Sequence, residues 1–561
     1  MRYSCDFETT TEPFFNKYGY TRVWGACAIN IDNTDERYIF NDIAEFLNHF
    51  KYDDELYFHN LKFDGNFIIS YLLNNGWQYD EKLKADNTFK TTINDMGIWY
   101  SITMCFKSYK SKKKKITIYD SLKKLPFKVS QLSKAFNIEE TKLVIDYDIE
   151  RGEGYIMNDL ERDYIVNDCL IVAKALKEQF NKDLSKMTIG SDAMAYFKDD
   201  IGKRGFDYLF PVLTLEVDNY MRKSYKGGWT YCNPLHADKR YKGVSYDVNS
   251  LYPSVMYGNN GLLPYGKPVY YKGEYKANNK YPLYIQRVLV IFDIKKDHLP
   301  TMQIKSNPRF IATDYLEHSD GIVELTLTKP DLELLFEHYN IGYIEYIDGY
   351  MFKGSSTLFR DYIDYWIAEK INNTGAKKTL AKLMLNNLYG KFATNPKVIN
   401  KIPYLDEEGI VSFNVSETSY KDPVYTPLGA FITSYARRQT IETAQQVYDR
   451  FIYADTDSIH LIGEQEPTNI NIDDNLLGYW KCEGIFDDSK FIRAKTYIKW
   501  KKGHIDITCA GMPQNVKDEI GKLDKEEAFN RFKVGSTFAG KLLPKRVKGG
   551  VILIDTEFTI K

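Results

Sequence analysis

Over residues 1–188, short apolar runs of two-residue period alternate with longer stretches of helical period, the pattern of an α/β unit. From 259 to about 357 the chain turns rich in Tyr, Pro and Gly and its apolar runs shorten, which predicts an all-β insertion. Residues 358–393 read as strongly helical, 394–425 as a small β-hairpin element, 426–515 as a return to strands, and the remainder as a short basic tail. The sharpest periodicity lies in "KKTLAKLMLNNLYGKF" (377–392). At 100° per residue Lys378, Lys382, Asn386 and Tyr389 fall within about 80° of one another, while Leu380, Leu383, Met384 and Leu388 take the other side and pack inward. Lysines on a solvated face are the ordinary explanation. Two lysines four apart repel slightly, however, and a row of point charges along a triphosphate, ending in an aromatic platform, is the sharper one. The run "YIDYWIAEKI" before it brings Lys370, with "NNTG" (372–375) as the turn between two helices.

With 561 residues the chain exceeds one core and suggests roughly three to five units. Aromatics reach 15%, with 45 Tyr and 32 Phe, enough to supply stacking faces as well as core. Net charge is −1, so any grip on a polyanion must come from local patches. One such patch is the lysine run "KSKKKK" (110–115), which reads as a solvated hairpin loop or as a contact to a phosphate backbone. The seven cysteines are scattered without a C-x-x-C pair, which argues against a disulfide framework or zinc site. "MRYSCDFETT" has no signal-peptide pattern and no apolar run reaches the roughly 18 residues of a membrane span, so a soluble cytosolic protein is expected.

Carboxylates carry the chemistry. In "YSCDFETT", Asp6 and Glu8 lie two apart on a predicted strand and share a face; "YFHNLKFDG" adds Asp64 where a strand ends. "YIVNDC" puts Tyr164 and Asp168 on one helix face. A D-x-E on a strand is by itself most often a surface feature, but three acids from separate segments, plus one more on Asp6's strand, can hold two divalent cations for phosphodiester hydrolysis. A second set follows. "VSYDVNSLYP" ends an apolar strand at Asp247, which alone reads equally as a helix N-cap. "YADTDS" sets Asp455 and Asp457 at a hairpin tip, either as a turn whose side chains bond local backbone or as metal ligands. A calcium loop is excluded, because no Gly stands at its sixth position and no Glu at its twelfth.

"DVNSLYP", "KLMLNNLYGKF" and "YADTDS" resemble, in order, motifs A, B and C of the family B DNA polymerases, and the finer match is to the protein-primed polymerases of small linear-genome bacteriophages, the phi29 type. The N-terminal order D-x-E, N-x-x-x-D, Y-x-x-x-D resembles the proofreading 3′–5′ exonuclease of such enzymes. The resemblance covers almost the whole chain and implies an α/β and α+β multidomain fold. Residues 1–188 would form a ribonuclease H-like exonuclease domain, 189–258 with 426–517 a palm, 358–393 fingers, and 518–561 a thumb with Lys541, Lys545, Arg546 and Lys548 on the duplex. The insertions 259–357 and 394–425 would clasp terminal protein and encircle DNA. No Walker loop is present, which argues against an ATP-driven motor.

The resemblance also implies site roles. Asp247, the Val248 carbonyl and Asp457 would ligate two Mg2+ ions, with Mn2+ as a substitute, and Asp455 would support them. Tyr252 would exclude a ribose 2′-OH; Lys370, Lys382 and Lys378 would serve the phosphates; Asn386 and Tyr389 would meet the nascent pair. Tyr225, Gly227 and Gly228 of "SYKGGW", with Ser250, Gly390, Thr433, Arg437, Lys495 and Tyr497, would contact DNA. In the exonuclease, Asp6, Glu8, Asp64 and Asp168 would hold two further ions, Tyr164 would orient water, and Lys142 would assist the scissile phosphate. His59, Asn60, Phe63, Ser121 and Leu122 would hold the single-stranded primer end. Template and primer DNA, dNTPs and a terminal protein are the implied partners of a monomer in the cytoplasm of a bacterial host. An ordinary nucleic-acid primer and a catalytically dead strand-binding relative are the alternatives.

Overall fold

In the computed structural model, which describes residues 1–50, 53–108, 113–147, 149–304 and 314–561, the N-terminal alternation becomes an eight-stranded mixed sheet. Its central strand, Arg2–Thr9, runs antiparallel to Val23–Asn30 and parallel to Glu55–Phe58. The helix Leu61–Asn74 buries Phe67, Ile68, Ile69 and Leu72 in a core on one face, and the helix Asp159–Phe180 buries Ile165, Ile171 and Leu176 in the core on the other. The strands Trp99–Ser108 and Lys113–Asp120 pair as a hairpin. The tip of the lysine run, 109–112, lies outside the described residues.

A second sheet is antiparallel throughout and has the order Trp480–Phe486, Gly243–Val248, Ser458–Ile462, Phe451–Asp455, Thr230–Cys232. Against it lies a helix, Thr426–Gln446, where the sequence pattern predicts strands. The reason is burial: residues 426–434 are enclosed on every side, so no polar face marks a helical period there, and the partly exposed stripe Tyr435, Arg438, Gln439 and Glu442 begins only after them.

The segment 259–357 builds a four-stranded sheet but is not all-β. "TKPD" starts a helix, Lys329–His338, with the Thr328 hydroxyl accepting the Asp331 N–H and Pro330 in the first turn. The helical pair Arg360–Asn372 and Gly375–Asn387 follows, turning at 373–374, and 394–425 forms two small hairpin ladders. The C-terminal stretch is more than a basic tail. Two short helices and the hairpin Thr537–Val547/Gly550–Thr559 enclose their own core around Val516, Phe529 and Phe538. That hairpin returns to the N-terminal region, where the Thr21 N–H donates to the Lys548 carbonyl (2.9 Å).

Candidate active sites

The antiparallel pairing of Gly243–Val248 with Ser458–Ile462 sets Asp247 opposite Ser458, and the Val248 N–H donates to the Asp457 carbonyl at 2.7 Å. Asp247 caps nothing: the helix Leu251–Tyr257 starts from Ser250, in the left-handed region at φ 54, without a side-chain cap. The hairpin tip turns at Thr456, φ 61, whose N–H donates to the Trp229 carbonyl (2.8 Å). The two acids of the tip have different fates. Asp455 is neutralised by Lys495 (both oxygens at 2.9 Å) and accepts from the Thr230 hydroxyl at 2.9 Å. Asp247 and Asp457 have no ion-pair partner among the described residues. Burial, then Asp457 and Glu483, push the Asp247 carboxyl up to about 7; burial also raises Asp457. Asp455, which a lysine serves, differs in this from Asp247 and Asp457.

Both carboxylates line a cavity of about 460 Å3 whose opposite wall is the helical pair, with Lys370, Lys382 and Asn386. At its floor Tyr252 and Tyr389 stack, ring centroids 4.1 Å apart and planes 21° from parallel. Leu380, Met384 and Leu388 are fully buried, so the inward face of this helix fixes the outward lysines. Lys370 donates to the Ser250 hydroxyl at 2.9 Å; burial and the charges of Lys382, Lys378 and Lys481 hold its ammonium below the ordinary lysine value. Lys378 is exposed on the helix Gly375–Asn387, one turn before Lys382.

A second acid cluster lies in the N-terminal sheet. Burial, then Asp168, push Asp6 up to about 7, and burial raises Glu8 and Asp64 well above the usual carboxylate range, each adding to the others' repulsion. Lys142 donates to Asp168 Oδ2 at 2.6 Å and stands 5.4 Å from the Tyr164 ring centroid. The remaining oxygen, Asp168 Oδ1, is buried with no hydrogen-bond partner among the described residues. Among the described residues no three His, Cys, Asp or Glu side chains are drawn in to ligating geometry. Repulsion between un-neutralised carboxylates opposes that approach. Buried acids without counterions and an orphaned carboxylate oxygen fit hard divalent cations, which take oxygen ligands.

A family profile described as DNA polymerase type B, organellar and viral, matches residues 48–159 and 144–476. The DNA polymerase of Bacillus phage M2 is 46% identical over 100% of this chain and 99% of its own length, and that of Bacillus phage phi29 is 45% identical over the same shares. The chain belongs to the type B DNA polymerases of the phi29 kind. The DNA polymerase of Streptococcus phage Cp-1 is 34% identical over 100% of this chain and 98% of its own. Phi29 DNA polymerase complexed with primer-template DNA and incoming nucleotide substrates has the same fold, with a TM-score of 0.93 at 43% identity and full coverage of both chains.

Several residues expected to touch DNA in this polymerase are held away from the surface. Thr433 is 1% exposed and its hydroxyl bonds back to the Gly429 carbonyl (3.1 Å). Arg437, 2% exposed, pairs with Asp331 (2.7 Å) and donates to the Lys226 and Gly227 carbonyls at 2.8 Å, so it braces the "YKGG" segment instead of reaching a strand. Tyr497 packs half-buried against Tyr453 and Phe491. Ser121 is fully buried and meets His59 Nδ1 at 3.0 Å, while His59 Nε2 meets the Phe127 carbonyl at 2.7 Å, and burial lowers the pKa of that imidazole. Ser121 thus orients His59. Asn60 stays exposed, and Phe63 and Leu122 are half-buried beside it. Tyr225 is half-buried, Gly227 faces open space, and Gly390 is exposed. A Cβ on Gly228 would meet Thr456 Oγ1 at 2.5 Å, so this glycine lets the segment close on the hairpin tip.

The sequence reading missed three groups. Asp120 Oδ1 accepts the N–H groups of Asn60, Leu61 and Leu122 (3.1, 3.3 and 3.1 Å), tying the segment around Asn60 to the one around Leu122. Tyr147 shares a hydrogen bond with Tyr164 (2.9 Å). Lys481 stands opposite Asp247 on the edge strand; only the strand register could have found it.

Proposed function

We propose that this type B polymerase copies DNA from a protein primer, proofreads through a separate 3′–5′ exonuclease site and displaces the strand ahead of it. The observation that carries the synthetic reading is the single cavity in which Asp247 and Asp457 face Lys370 and Lys382 above the Tyr252–Tyr389 stack. Residues 189–258 with 426–517 act as palm, 358–393 as fingers, 518–561 as thumb, and 1–188 as the exonuclease domain.

Asp247, the Val248 carbonyl and Asp457 would hold two Mg2+ ions, which supply charge neutralisation at the α-phosphate and at the attacking 3′-oxygen. Lys370 and Lys382 bind the polyphosphate and offset charge gathering on the leaving pyrophosphate. The 3′-oxygen–phosphorus bond forms as the α–β phosphoanhydride bond breaks, and the hydroxyl proton leaves to solvent. Tyr389 offers a face to the nascent pair. Tyr252 beneath the sugar leaves no room for a 2′-OH. Asp455, neutralised by Lys495, keeps the tip rigid. In the exonuclease, Asp6, Glu8, Asp64 and Asp168 would hold the ions, Tyr164 orients water, and Lys142 meets the scissile phosphate. Asn60, Phe63 and Leu122 grip the strand, with His59 fixed by Ser121.

The test is primer extension on nicked duplex without helicase, together with labelling of a first nucleotide on a candidate terminal protein. Extension through the duplex and a labelled protein support the reading. Extension from a nucleic-acid primer alone, with no labelled protein, restricts it to an ordinary primer.

A further inference from the structure

We propose that Lys481 is a further polyphosphate-binding residue, a third ammonium that takes a phosphate oxygen of the incoming triphosphate or of the pyrophosphate it releases. The inference rests on the polymerase reading of the Asp247 cavity. Lys481 lies on Trp480–Phe486, the edge strand of the palm sheet, directly opposite Asp247. Residues opposite one another on antiparallel strands project from the same face with Cβ atoms about 5 Å apart. The alternation along the strand agrees: neighbouring Trp480, 2% exposed, points into the core and donates from Nε1 to the Thr443 hydroxyl.

Lys481 is half-buried yet has no ion-pair partner among the described residues, although Asp247 and Glu483 are near. Its charge acts on two groups that belong to different elements, Asp247 on the sheet and Lys370 on the helix Arg360–Asn372. Through its register with Asp247, which lines the cavity, Lys481 adjoins that cavity from the edge strand. Three cations, Lys370, Lys382 and Lys481, share one field while the cavity's two acids are reserved for metal. Their mutual repulsion is relieved by an anion of several charges.

The sheet order says which anion. Lys495, beside Asp455, marks the far side of the hairpin. Lys481 lies on the opposite flank of Asp247, with Lys370, where the nucleotide's phosphate tail would run and not the primer strand.

Steady-state primer extension by wild type, Lys481→Gln and Lys481→Arg across a range of Mg2+ concentrations tests this. The expected result is a KM for dNTP raised about tenfold in Lys481→Gln, the loss of one charge-assisted hydrogen bond. Product inhibition by pyrophosphate should weaken by a similar factor, kcat should change less, and Lys481→Arg should restore both. Single-strand degradation and the thermal midpoint report that the variants are folded. Unchanged KM and pyrophosphate inhibition in folded Lys481→Gln overturn the proposal. So does a KM defect that further Mg2+ abolishes, since the charge would then act on Asp247. Wild type that extends no primer removes the polymerase reading itself, a distinct failure.

Discussion

A buried aspartate without a counterion is held only if something else accepts its charge. Asp247 and Asp6, both raised to about 7, bind protons that the unfolded chain has already released between its carboxylate pKa, near 4, and 7. In that window the folded state carries more protons, so these groups' contribution to stability is complete below about 4 and is lost as pH rises through 7. Metal binds the ionised form. Adding Mg2+ should therefore raise the thermal midpoint more at pH 8 than at pH 6, and Asp247→Asn should shrink that difference; scanning calorimetry reads both. An Mg2+ effect independent of pH contradicts this electrostatic picture. Tyr252 offers a second check. Its ring lies 4.1 Å from that of Tyr389 at the cavity floor, and Tyr252→Val opens the space a 2′-OH needs. Ribonucleotide incorporation should rise by about tenfold or more; unchanged sugar selectivity in primer extension removes the gate role.

At the scale of elements, the helix Thr426–Gln446 joins the five-stranded sheet to the segment 259–357 through Arg437 and Asp331, both under 5% exposed. Removing one member of a buried pair leaves an uncompensated charge. Asp331→Ala should cost about 3–5 kcal/mol in denaturant unfolding and lower synthesis by freeing the carbonyls of Lys226 and Gly227. A loss below about 1 kcal/mol contradicts the bracing role. This helix also shows where the sequence was silent. A run buried on every side has no polar face, so Leu428, Phe431 and Ile432 read as strand. The acids were legible because several short spacings, each commonplace alone, recur in one order along the chain, and the Lys378–Lys382–Asn386 stripe was legible because its opposite face is a core. Nothing in "TSYAR" tells a guanidinium aimed at phosphate from one aimed at Asp331, and the pairing of Arg437 with that acid shows only in the structure. Lys481 was invisible, as its meaning comes from a strand some 230 positions away in the chain.

Across the whole molecule, distant segments close on one another. The C-terminal hairpin reaches the N-terminal sheet at Thr21 and Lys548, a Cβ on Gly550 would meet the Phe67 ring at 2.4 Å, and Arg546 stands 5.0 Å from the Phe413 ring, itself against Trp99. Gly550→Val should part this seam and shorten product length per binding event in a heparin-trap assay while single-nucleotide addition persists; unaltered product length rejects a role for the seam in processivity. The same closure puts two acid clusters with no shared residue in one chain. The central claim is that each performs its own phosphodiester chemistry. Extension of a primer and degradation of a single strand, measured side by side on folded Asp457→Asn and on the double variant Asp6→Ala, Asp64→Ala, test it most directly. The first variant should lose synthesis by roughly a thousandfold and keep degradation, and the second should do the reverse. Loss of both activities in either folded variant contradicts the account.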